Sequence, residues 1–252
     1  MQPKALNILD IMKDLVSVQS DTGTKMEEDM AERIAAYFKE DPYLSAHPNH
    51  WGLADTNDFL GRHVVWALKE GTSRKTLILT GHYDAVEIDC YGELKPLALK
   101  PEALREEMLR QKLGDELMQQ ELASGDWLPG RATADMKGGL AIGLYELLTL
   151  PENAEIGILF VAVCDEENVS AGMRGAVNVL LELKKHFALD YLATLVLEPQ
   201  LPLADKDLWS TAAVLARSCP SLSPRGSSPI VASRSRGSTP PIWPQKSPRG
   251  ST

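Results

Sequence analysis

The stretch Val161–Met173, VAVCDEENVSAGM, decides how the rest of the chain is read. It continues an apolar run, Ile158 to Val163, with the composition of a strand buried on both faces. The run then delivers the chain into Asp165-Glu166-Glu167. Adjacent carboxylates repel one another, and the end of a core strand offers them little water. Something positive has to compensate them there.

Working outward, the first 200 residues alternate between helical and strand-like patterns. Ile8, Ile11, Met12, Leu15 and Val16 have helical spacing. A second helix is expected from Thr24, with Glu27 completing a capping box and Met26, Met30, Ile34 and Phe38 on one face. His63–Leu68, Thr76–Thr80, Ile156–Val163 and Tyr191–Leu197 read as strands, and Gly138–Leu150 and Gly172–Phe187 as helices. Residues 101–123 read as a polar helical insert lying on the surface. The expected class is α/β, a mostly parallel sheet flanked by helices.

Composition sets the outer bounds. At 252 residues, 44% apolar and 24% charged, the chain has the make-up of a soluble globular protein. No run reaches the roughly 18 apolar residues of a membrane helix. Asp10, Lys13 and Asp14 interrupt the start, which does not read as a secretory signal. Cys90, Cys164 and Cys219 have no metal-finger spacing, so free thiols in a cytoplasmic setting are expected. Residues 1–209 hold all 35 acidic side chains, while 210–252 hold none and carry 11 Ser, 7 Pro and 5 Arg. Two segments are expected: a catalytic-type domain at 1–208 and a disordered Ser/Pro/Arg-rich tail at 209–252. The acidic body argues against nucleic acid as a partner.

Four motifs carry acidic or imidazole groups at strand ends or helix starts. In LILTGHYDAV, His82 follows a strand and Asp84 lies two residues on, where a carboxylate can hold one ring nitrogen while the other faces a metal. In GRATADMKGGL, Asp135 precedes the helix opened by Lys137-Gly138-Gly139, and the glycines suit a backbone passing close to something. The third motif is Glu166 with Glu167, and the fourth is LVLEPQ, with Glu198 at a strand end. Each alone reads as readily as a structural histidine, a helix cap or a solvated turn. Together they suit a divalent ion, because ligands gather at the carboxyl ends of parallel strands. Two ions bridged by a carboxylate form a hydrolytic arrangement, which would give the adjacent glutamates a purpose.

GHYDAV, GRATADMKGG, DEENVSAG and LEPQ, in that order, resemble the metal-dependent aminoacylase/carboxypeptidase family that includes acetylornithine deacetylase, succinyl-diaminopimelate desuccinylase and tripeptide aminopeptidase. TNDFLGR, SGDWLPGR and the long insert between His82 and Asp135 look most like its arginine-utilisation branch. The resemblance covers roughly residues 1–208 and implies a two-metal hydrolase of amide or peptide bonds in small amino-acid derivatives or peptides. It implies His82, Asp135 and Glu198 on one ion, Asp135 bridging, and Glu167 on the second. It further implies Glu166 as general base, Asp84 as the residue orienting His82, and a cis bond after Asp135. Zinc is the first choice of ion, with cobalt and manganese accepted by the same donors.

There are departures. Ala132 stands where the family usually has Gly. The family closes its second site with a later His and inserts a lid and dimerisation domain after the strand carrying Glu198, whereas no His follows Glu198 here. A chain impaired by truncation or a shifted reading frame near Leu208 is therefore the expectation, and the homodimer of the intact family is not expected. The alternatives are an inactive metal-binding remnant and, in a different class, a nucleic-acid-associated protein using its basic SRSRGS tail.

Overall fold

The computed structural model describes residues 6–199. The expected tail at 209–252, and the boundary at 208, lie outside the described residues.

Strand β4, Gly157–Val163, is buried at every position. Its alternate side chains explain the continuous apolar run. Ile158, Phe160 and Ala162 enter one core, and Leu159, Val161 and Val163 enter another on the opposite face. The first core is covered by α1 (Ile8–Ser17), α2 (Met26–Glu40) and α6 (Gly139–Leu148). The second is covered by α7, Ala171–His186, through Ala176 and Leu183. The result is a sheet between two helical layers.

The sheet also contains β1 (Trp51–Asp55), β2 (His63–Lys69), β3 (Lys75–His82) and β5 (Asp190–Val196), in the order β1-β2-β4-β3-β5. It is mixed, which corrects the expectation of a mostly parallel sheet: β3 runs parallel to β4 and β5, but β2 is antiparallel to both β1 and β4. The connections are the cause. Residues 56–62 and 70–74 are too short for a crossover helix, so the chain reverses at each of them. WGLAD at β1 carries too little alternation to signal a strand from sequence.

Two local expectations also change. α2 starts at Met26 with no side-chain cap from Lys25, and Glu27 reaches back to the Gly23 N–H at 2.7 Å rather than closing a box on Thr24. The insert forms two helices, α4 (Pro101–Gln111) and α5 (Glu116–Ser124), which bury Leu104, Met108 and Leu122 in a small core of their own. A further short helix, α3, covers Pro42–Ala46 and is capped by the Asp41 carboxylate on the Leu44 N–H.

The mixed order brings the carboxyl ends of β3, β4 and β5 to one rim, with His82 opposite Val163. Because β2 runs the other way, its amino end reaches the same rim.

Candidate metal centre

His82 closes β3 and is 1% exposed. Its Nδ1 faces the Asp84 carbonyl at 3.0 Å and the Asp84 carboxylate at 3.4 Å. That leaves Nε2 facing three carboxylates: Asp135 at 3.0 Å, Glu198 at 3.3 Å and Glu166 at 3.9 Å. Two donor triads result, His82–Glu166–Glu198 and His82–Asp135–Glu167, the atoms of each lying within 4.8 Å of one another. Every metal-site position expected from sequence thus lies at this rim. The sharing differs from the expectation: His82, rather than Asp135, belongs to both triads, and Glu166 stands beside Glu198 as a donor in its own right.

The donor set fits a divalent cation. Among the described residues no Lys or Arg pairs with Asp135, Glu166, Glu167 or Glu198; His82 is the ion-pair partner of Asp135, Glu166 and Glu198. Burial and then the Asp135 charge raise the Glu167 carboxyl. Burial also raises that of Glu198, with Asp135, Glu166 and Glu167 adding to it against His82. For His82, burial opposes the charged ring, but Asp84, Glu198 and Asp135 outweigh it and lift the pKa to about 9. Negative charge is concentrated here beyond what one imidazolium neutralises, and oxygen with nitrogen donors suits zinc, cobalt or manganese.

Asp84 is fully buried and has partners besides the ring. Its Oδ1 accepts the Glu166 N–H at 3.0 Å, and its Oδ2 accepts the Glu167 N–H at 3.2 Å and the Thr22 hydroxyl at 2.9 Å. The Asp135–Met136 peptide is cis, as the resemblance implied. Ala132 has φ +61°, a left-handed conformation in which a glycine would sit without strain. Lys137, next along, is buried, donates to the Val18 carbonyl at 2.6 Å, and is pushed down to about 7 by burial. Gly139 lies against the Leu197 carbonyl, where a Cβ would come within 2.0 Å.

Asp165 answers the opening puzzle differently from its two neighbours. It points away from the donor cluster and pairs with Arg62 at 2.8 Å. Arg62 also holds Glu27 and Asp58, each at 2.6 Å. Arg62 and Asp165 stand in quoted motifs and Glu27 in an expected cap, but their pairing escapes the sequence because 35 and 103 residues separate Arg62 from its two partners. The remaining four histidines lie elsewhere: His47 by the Tyr43 carbonyl, His50 beside Glu70, His63 beside Glu28 and His186 at the end of α7.

The comparisons with known proteins agree with this geometry. Residues 113–232 match the model of Peptidase family M20/M25/M40. That match and the two donor triads support classification with the metal-dependent hydrolases and peptidases. The uncharacterized protein YqjN of Bacillus subtilis is 38% identical over 195 residues, covering 76% of this chain and 35% of that protein. Protein RocB of the same organism is 36% identical over 199 residues, covering 77% and 35%. The chain therefore spans about a third of the length of these curated relatives. The di-peptidase Dug1p from Saccharomyces cerevisiae superposes with a TM-score of 0.50 at 13% identity, over 75% of this chain and 37% of that one. At that identity the likeness concerns the fold alone. No described helix is long and apolar enough to cross a membrane.

Proposed function

We propose that this chain is the amino-terminal part of a two-metal hydrolase acting on amide or peptide bonds of small amino-acid derivatives. The observation that carries the proposal is one imidazole nitrogen facing carboxylates from three different segments, with no Lys or Arg paired to them among the described residues. His82, Asp135 and Glu198 would hold one ion and Asp135 with Glu167 the other, zinc being the first choice. When bound, the ions would polarise the scissile carbonyl and acidify the attacking water. Glu166 would take the proton from that water and pass it to the leaving amine. Asp84 keeps the His82 ring turned so that Nε2 faces the donors, and its grip on the Glu166 and Glu167 N–H groups holds the base and its neighbour in register.

The position of Glu166 beside Glu198 supports a second reading, in which Glu166 is itself a ligand. The Glu166→Gln variant separates the two: a base leaves bound metal unchanged and abolishes turnover, whereas a ligand loses metal as well. An N-acyl amino acid and dipeptide panel with zinc or cobalt added tests the activity directly. No hydrolysis alongside tight metal binding would favour the inactive metal-binding remnant. The resemblance of TNDFLGR and SGDWLPGR supports a place in arginine utilisation, and the match to RocB agrees with it. A cytoplasmic location and a small soluble substrate complete the proposal.

A further inference from the structure

Arg62 lies outside every motif in the donor cluster, yet it is 3% exposed and bonded to three carboxylates. Its place follows from the strand order. β2 and β4 pair Val65 with Ala162, and carrying that register three residues further sets Arg62 opposite Asp165. The antiparallel strand thus brings a guanidinium to the turn that leaves β4.

That turn is held at several points. The Asp165 carboxylate accepts from Arg62 at 2.8 Å, from the Ala171 N–H at 3.1 Å and from the Asn168 amide at 3.3 Å. Its own N–H donates to Glu27 Oε2 at 2.9 Å, while Glu27 Oε1 accepts from Arg62. Glu27 and Asp165 are both fully buried. Asp165 has φ +64°, a conformation an aspartate keeps only where its surroundings hold it. The next two residues are Glu166 and Glu167, whose N–H groups bind Asp84.

We infer that Arg62 and Glu27 are positioning residues, a buried clamp on Asp165 that fixes where Glu166 and Glu167 present their carboxylates. The inference rests on the proposed metal centre for its consequence, but the clamp itself concerns the backbone of the turn. Arg62 is suited to it because a guanidinium bonds several carboxylates in fixed directions, which an ammonium does not. Loss of such outer supports lowers metal affinity by roughly 10–100-fold.

The test compares the wild-type chain with Arg62→Gln, and with Lys69→Met as a control. Lys69 forms a buried pair with Asp41 at 2.9 Å, at the far end of β2. Two quantities are read beside thermal stability: Co²⁺ affinity by titration, and hydrogen exchange of the peptide spanning residues 164–170. Arg62→Gln should weaken Co²⁺ binding at least about tenfold and speed exchange at the turn, with Lys69→Met changing neither. Unchanged exchange in Arg62→Gln, or equal losses of affinity in both variants, overturns the clamp. If the wild type binds no Co²⁺, the metal centre fails, while exchange still decides the clamp. Should Arg62→Gln not fold, Glu27→Gln removes the acceptor shared by Arg62 and the Asp165 N–H, and the same outcomes apply.

Discussion

His82 Nε2 and Asp135 Oδ1 lie 3.0 Å apart, although 53 residues separate them in the chain. The His82 ring is buried, whereas the Asp135 side chain is 58% exposed. A buried imidazole facing a solvent-reachable carboxylate gives one wall for fixing a ligand and one for admitting it. Asp84 lies against the ring through its carbonyl at 3.0 Å and its carboxylate at 3.4 Å, and that carboxylate also accepts the Glu166 and Glu167 N–H groups.

Asp84→Ala should therefore damage two things at once. The ring keeps the main-chain carbonyl of residue 84 at 3.0 Å but loses the carboxylate at 3.4 Å, and the Glu166 and Glu167 N–H groups lose their acceptor. Co²⁺ affinity should fall by roughly 10–100-fold, read by calorimetric titration. An affinity within twofold of wild type would show that Asp84 supports neither group.

Ala132→Gly should stabilise the chain. The left-handed conformation at φ +61° costs an alanine roughly 1 kcal/mol, which glycine avoids at some expense in unfolded-chain entropy. A net gain of about 0.5 kcal/mol is expected in urea unfolding, with metal affinity unchanged. A loss of stability would mean that the Ala132 methyl contributes packing worth more than the strain.

Gly139→Ala should act in the opposite direction. The new methyl would press on the Leu197 carbonyl, immediately before Glu198, so the end of β5 must shift. A loss of about 1–3 kcal/mol is expected. Metal affinity should fall with it, because Glu198 moves. Retention of both stability and affinity would show that the close approach is readily relaxed.

Asp58→Asn tests the outer partner of Arg62 through pH. Burial would raise the Asp58 carboxyl, but the Arg62 side-chain and backbone hydrogen bonds and its charge bring it below the ordinary 3.8. A folded pKa below the unfolded one gives stability that is complete above pH 3.8 and is lost as pH falls through the folded value. Asp58→Asn should thus cost about 2 kcal/mol at pH 7, and the gap from wild type should close below pH 3.8. A gap that stays constant with pH would exclude a charged role for Asp58.

Much of this was legible in the sequence because period and burial agree. The run Ile158–Val163 is apolar at every position because β4 feeds two cores, and the glutamates at its end sit among the donor groups at the rim. His82, Asp135, Glu167 and Glu198 could be grouped because each ends a strand or opens a helix. The direction of β2 could not be read, since strand order depends on the lengths of residues 56–62 and 70–74 rather than on the strands' own patterns. Glu27 looked like a helix cap for a related reason. Its three acceptor contacts join Gly23, Arg62 and Asp165, which only the folded chain brings together.

The central claim is that the His82 rim holds divalent metal. Equilibrium dialysis of the purified chain against zinc, followed by elemental counting, tests it most directly, with His82→Ala alongside and circular dichroism confirming that both are folded. Because both donor triads include His82, the wild type should retain at least one ion per chain and His82→Ala should retain less, the rim being left with carboxylates alone. Equal zinc content in the two, or none in the wild type, would contradict the account.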